Sequence, residues 1–104
     1  MDYSNMSDFE INAAVATAQF GNWESNADIY PLINRKRIDY CNNPADAWPI
    51  IKNNKISLTP PRVDDRWDCC TYDKFGYVNH EHYDANPLRA AMIVFLMMKD
   101  AKKC

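Results

Sequence analysis

The stretch NPLRAAMIVFLMMKD, Asn86–Asp100, decides the fold. Asn86 is a good N-cap. Pro87 suits the first helical position, because it lacks an N–H that the first turn would leave unpaired. From Leu88 to Met98 every residue except Arg89 is apolar, and Lys99, Lys102 and Lys103 follow at the negative end of the helix dipole. The stretch reads as a helix that is apolar all round. Such a helix is buried on more than one side, as the central element of the core or as half of a homodimer contact through Leu88–Met98. Its longest unbroken apolar run, Ala90–Met98, is far shorter than the roughly 20 residues that a membrane span needs.

Working back from that helix, residues 55–83 read as sheet. KISLT, Lys55–Thr59, alternates, with Ile56 and Leu58 on one face, and Pro60 and Pro61 end the strand. RWDCCTY, Arg66–Tyr72, puts Trp67, Cys69 and Thr71 on one side and Asp68, Cys70 and Tyr72 on the other. DKFG, Asp73–Gly76, is a hairpin loop, and the polar run YVNHEHY, Tyr77–Tyr83, is an edge strand.

Further upstream, YCNNPADAWPIIKNN holds a short helix with two possible starts. Either Asn43 caps it, with Pro44 first and a kink at Pro49, or Asp46 caps it, with Pro49 in the first turn. The second is favoured, since a proline in a second turn removes a backbone hydrogen bond. Near the start of the chain, Ser7 and Glu10 form a capping-box pattern, and Phe9, Ile11, Ala14, Val15 and Ala18 recur at helical spacing, giving a helix over Asp8–Gln19 closed by Gly21. Between these helices, Trp23 and the run Ile29–Ile33 read as one or two short strands, broken or at an edge because of Pro31. Arg35, Lys36 and Arg37 read as a solvated loop tip. The expectation is one α+β domain: a small antiparallel three-stranded sheet packed by helices, with the final apolar helix central to the core.

Composition bounds the function. The 104 residues carry a net charge of −2 and are 47% hydrophobic, an ordinary globular balance that argues against a generic nucleic-acid binder. The acidic, polar opening MDYSNMSDFE lacks a secretory pattern, so the reading is a cytoplasmic protein whose Cys41, Cys69, Cys70 and Cys104 are reduced thiols. The two glycines, Gly21 and Gly76, cannot build a phosphate cradle. Aromatic residues make up 12%.

Two long motifs, YCNNPADAWPIIKNNKISL (Tyr40–Leu58) and NPLRAAMIVFLMMKD, resemble the NinX-like proteins of lambdoid phages and prophages of enterobacteria. The opening DYSNMSDFEIN is similar to that family's start, and Trp67 stands at its aromatic strand. Residues 21–38 and 72–85 lie outside the motifs. The resemblance implies a phage accessory protein from the delayed-early region between the replication genes and the late antiterminator, and brings no catalytic residues with it. The helix–three strands–helix order from Asn43 onward also matches double-stranded RNA-binding domains. Those place lysines at the start of the final helix, whereas this chain has only Arg89 there.

No cofactor and no enzymatic constellation emerges. The weak metal candidates are His80 and His82, with Cys69, Cys70 and Asp84, because two histidines two apart in a strand share a face. The binding candidates are Asn42, Asn43, Asp46, Trp48, Trp67 and Arg89, which gather near helix starts. Trp48 and Trp67 read first as core and second as the wall of a small-ligand or nucleotide pocket. Trp23, Tyr30, Phe75, Tyr77 and Tyr83 read as surface aromatics. The functional expectation is a non-enzymatic phage protein that binds a host, defence-system or phage protein, with a small-ligand module as the alternative.

Overall fold

A computed structural model describes residues 2–102. The capping box is formed: the Ser7 hydroxyl accepts the Glu10 N–H and Glu10 Oε1 accepts the Ser7 N–H, each at 3.1 Å. It starts α1, Asp8–Phe20, whose buried stripe is Ile11, Asn12, Val15 and Ala16. Gly21 ends the helix at φ 69, a conformation open to a residue without Cβ.

The chain then turns back on the end of α1. Trp23 is buried, not on the surface, and its indole N–H donates to the Thr17 hydroxyl at 3.1 Å. Tyr30 stacks on it with ring centroids 6.0 Å apart. The run expected as strand is helical: α2 spans Tyr30–Asn34. Pro31 sits in its first turn, where a missing N–H leaves nothing unpaired. Arg35, Lys36 and Arg37 are exposed.

The next helix, α3, spans Pro44–Asn53 and is capped by Asn43, whose side chain accepts the Ala45 N–H at 3.0 Å. Pro49 therefore lies inside the helix, contrary to the favoured register. The backbone bond it removes would have ended at Ala45, and both residues are exposed, so that carbonyl is not left in the core. Asp46 does not cap the helix; it accepts the Asp39 N–H of the preceding turn at 2.9 Å.

Strands β1 (Ser57–Thr59), β2 (Trp67–Tyr72) and β3 (Val78–Asp84) form an antiparallel sheet in the order β1-β2-β3. Final helix α4, Pro87–Lys102, lies between this sheet and the helices α1 and α3, in contact with all of them. Ala90–Leu96 are each at most 4% exposed within the single chain. That stretch is the central core element, and Leu88, Met97 and Met98 remain half-buried around it. Lys99 lies over the Phe95 ring. The side chain of Lys102, and Lys103 and Cys104, lie outside the described residues. No helix among the described residues is long and apolar enough to cross a membrane.

Candidate functional site

The structure brings several of the polar candidates together where chain segments meet. Arg89, 11% exposed at its side chain, donates to Asp84 at 3.1 Å and to Asp8 at 2.8 Å. It also donates to the carbonyls of Tyr3, Ser4 and Met6. Asn86 donates to the Cys41 carbonyl at 2.7 Å, and Asn42 donates to Asp8 and Asp39. Asn12 closes the network, donating to Asp39 and accepting the Cys41 N–H. Asn42, Asp46 and Arg89 thus share a polar hub that ties α1, the turn before α3 and the start of α4. The Arg89 donors are spent inside the protein, so this guanidinium holds the fold. Trp48 projects from α3 at 55% exposed rather than joining the core. Trp67 is half-buried opposite Asp84, and neither indole lines the cleft beside the loop 60–66 or the cleft at the hairpin end of the sheet.

Strand alternation and register divide the sheet into two faces. Leu58, Cys69 and His82 form a row on the face that packs on α4: Cys69 is fully buried and its thiol lies 3.5 Å from the Pro87 carbonyl. Burial pushes the Cys69 thiol up to about 12 and pulls the His82 imidazole down. The opposite face carries the rows Thr59–Asp68–Tyr83, Ser57–Cys70–Glu81 and Tyr72–Val78. No helix covers these rows, an arrangement that antiparallel sheets permit.

The uncovered face has its own electrostatics. Asp68, Cys70 and Glu81 each offer one donor atom, all within 4.8 Å of one another. The hydrogen bond between Asp68 and Glu81 is the main reason the Glu81 carboxyl lies above the usual carboxylate range. Asp68 Oδ1 is buried without a hydrogen-bond partner. The Tyr83 hydroxyl donates to Glu81 at 3.3 Å, and the charges of Asp68 and then Glu81 raise its phenol. The Tyr72 phenol is raised chiefly by its hydrogen bond to Cys70. Arg66, paired with Asp64 at 2.9 Å, sits 5.4 Å from the centroid of the Tyr83 ring. A shallow cleft of about 430 Å³ runs between the loop 60–66 and Asp68, Tyr72 and Tyr83.

Beyond the face, the β2–β3 turn holds two aromatics out in water. Asp73 accepts the N–H groups of Phe75 and Tyr77 at 2.8 and 3.0 Å, and Gly76 takes φ 86. Phe75 and Tyr77 are over 70% exposed on this braced turn, next to Tyr72 and Val78, and Tyr83 lies two rows further along the face. The result is an aromatic patch with an acidic centre on one side of the molecule.

The family model described as "Bacteriophage P22, NinX" matches residues 2–99. The chain belongs to the NinX family. The match runs through residues 21–38 and 72–85, which the quoted motifs left out. No curated protein and no solved structure matches.

In this NinX chain, His80 and His82 do lie on one face, as their spacing requires, but Cys70 points to the other. Among the described residues the group placed to hold a cation is Asp68, Cys70 and Glu81, a set of oxygen and sulfur donors that zinc accepts. The reading of the sequence expected Phe75, Tyr77 and Tyr83 at the surface, as they are, but grouped Cys70 with the histidines and missed its place with Asp68 and Glu81. The signal was present in RWDCCTY and VNHEHYD as alternate residues; what was lacking was the register that sets Cys70 opposite Glu81.

Proposed function

We propose that this NinX-family chain is a non-enzymatic phage accessory protein that works in the host cytoplasm. In this reading it binds a host or defence-system protein through the uncovered sheet face and the β2–β3 turn. One observation carries it: Tyr72, Phe75, Tyr77, Val78 and Tyr83 are each 47–73% exposed on and beside a single face. Scattered exposed aromatics are ordinary, whereas a contiguous group marks a surface that another molecule covers. Tyrosine and arginine are the residues that most often anchor such contacts, and Arg66 over Tyr83 supplies both. The Glu81 carboxyl accepts the Tyr83 hydroxyl, which supports a binding role over a catalytic one.

The test places a photo-crosslinking residue at position 75, at position 83 or at position 19, which is exposed on α1, and expresses each chain in the host. One host or defence-system protein, captured from positions 75 and 83 and not from 19, is the expected result. Capture of nothing above background, of a second copy of the chain, or of the same protein equally from all three positions contradicts the reading.

A further inference from the structure

We infer that Asp68, Cys70 and Glu81 form a zinc site, with one thiolate and two carboxylates as ligands. The site goes beyond the docking reading. Metal binding is read on the isolated protein, so either can fail without the other.

Two strands build the donor set. Asp68 and Cys70 are alternate residues of β2, so their side chains leave the same face, and Glu81 stands opposite Cys70 on β3. Asp68 and Glu81 are then diagonal neighbours on that face, within reach of each other's side chains. Cys70 Sγ and one carboxylate oxygen from each acid all lie within 4.8 Å of one another. The centre of such a group is at most about 2.8 Å from each atom, and zinc bonds oxygen and sulfur at about 2.0–2.3 Å. Closing the donors on an ion therefore takes a shift of less than about 1 Å each.

Two separate observations call for a cation there. First, the two carboxyls have no basic partner. The ion pairs among the described residues join Arg66 to Asp64 and Arg89 to Asp8 and Asp84, and none reaches Asp68 or Glu81. Two carboxylates side by side repel each other unless a positive charge joins them. Second, Asp68 Oδ1 is shut off from water and has no hydrogen-bond partner. Such an oxygen is costly to bury, and an ion seated among the donors supplies its partner.

The donor chemistry selects the metal. Magnesium and calcium take oxygen ligands, whereas zinc accepts a thiolate beside carboxylates. Three protein donors leave a fourth tetrahedral position for water on the uncovered side of the sheet. Cys70 is 3% exposed, and its thiol gives up its proton to solvent as the ion binds. His80 and His82 face the other side and do not complete the set.

The test is a titration of the reduced, metal-free full chain with cobalt(II), which takes the place of zinc and reports a thiolate ligand by a near-ultraviolet sulfur-to-metal band. One equivalent is expected to bind, to raise that band and to be displaced by zinc. Cys70→Ser should abolish the band. Loss of an outer-shell partner typically costs about 10–100-fold in metal affinity, so Glu81→Gln, which removes a ligand, should weaken binding by at least about tenfold. Cys69→Ala, one residue away on the covered side, and His80→Ala should leave the band and the affinity unchanged. Glu81→Gln keeps the shape of its side chain, so it decides the matter if Cys70→Ser does not fold. A titration without the band, a band that survives Cys70→Ser, unchanged affinity in folded Glu81→Gln, or an equal loss in His80→Ala would overturn the inference.

Discussion

Cys69 and Cys70 are neighbours in sequence and both at most 3% exposed, yet they belong to opposite sides of the sheet. Cys69 faces α4 among Leu58 and His82, where an apolar, closely packed environment holds its thiol neutral. Cys70 faces outward among Asp68, Glu81 and Tyr72. One step along an extended chain therefore moves from a side that holds the fold to a side that is open to another molecule. The same division runs through the charges: Arg89 is enclosed and fully engaged, while Arg66 and its partner Asp64 are each more than half exposed.

Truncation should separate the two sides most sharply. Phe95→Ala empties a fully buried site and should cost about 3–5 kcal/mol in urea unfolding, whereas Phe75→Ala should change stability by no more than about 0.5 kcal/mol. The arginines come next. Arg89→Met leaves Asp84 and three carbonyls without their donor, a loss of about 3 kcal/mol, while Arg66→Met should cost less than about 1 kcal/mol. Equal effects within either pair would erase the distinction.

A smaller effect appears at high pH. Burial raises the Cys41 and Cys69 thiols to about 12 in the folded protein, from an ordinary value of 9.0. The unfolded chain loses these protons first, so their stabilisation is complete below pH 9 and is lost as pH rises towards about 12. The urea midpoint should therefore fall between pH 8 and pH 10.5, and Cys69→Ala should flatten that fall. The smallest expected change is on the open side. Glu81 has a raised carboxyl, so whatever its contact with Asp68 contributes is present at acid pH and is lost as Glu81 ionises. Glu81→Gln should accordingly stabilise the protein at pH 7, by less than about 0.5 kcal/mol after solvent screening.

Most of the framework was legible in local chemistry. Ser7 with Glu10, and Asn86, announce their helices by satisfying first-turn N–H groups, and Pro87 does so by lacking one. The alternation in β2 set Cys69 and Thr71 on one side and Cys70 and Tyr72 on the other, and the structure shows that α4 covers the first. The two tryptophans were misread because an indole's burial depends on what packs against it. On α3 the buried residues Ala47, Ile50 and Ile51 follow helical spacing, and Trp48 falls beside that stripe. Trp23 is covered only because the chain reverses after Gly21 and returns to Thr17. The helix at Tyr30–Asn34 is too short for periodicity to distinguish it from a strand. The open face needed the β2–β3 register, including the slip at Thr71, and no local pattern carries that.

The central claim is that the uncovered face serves a partner while the covered face serves the fold. Its most direct test is the combined variant Tyr72→Ser, Phe75→Ser and Tyr77→Ser, measured for urea stability and for co-purification of the partner captured at positions 75 and 83. The account predicts stability within about 1 kcal/mol of wild type and loss of the partner. A stably folded variant that still retains the partner would contradict it.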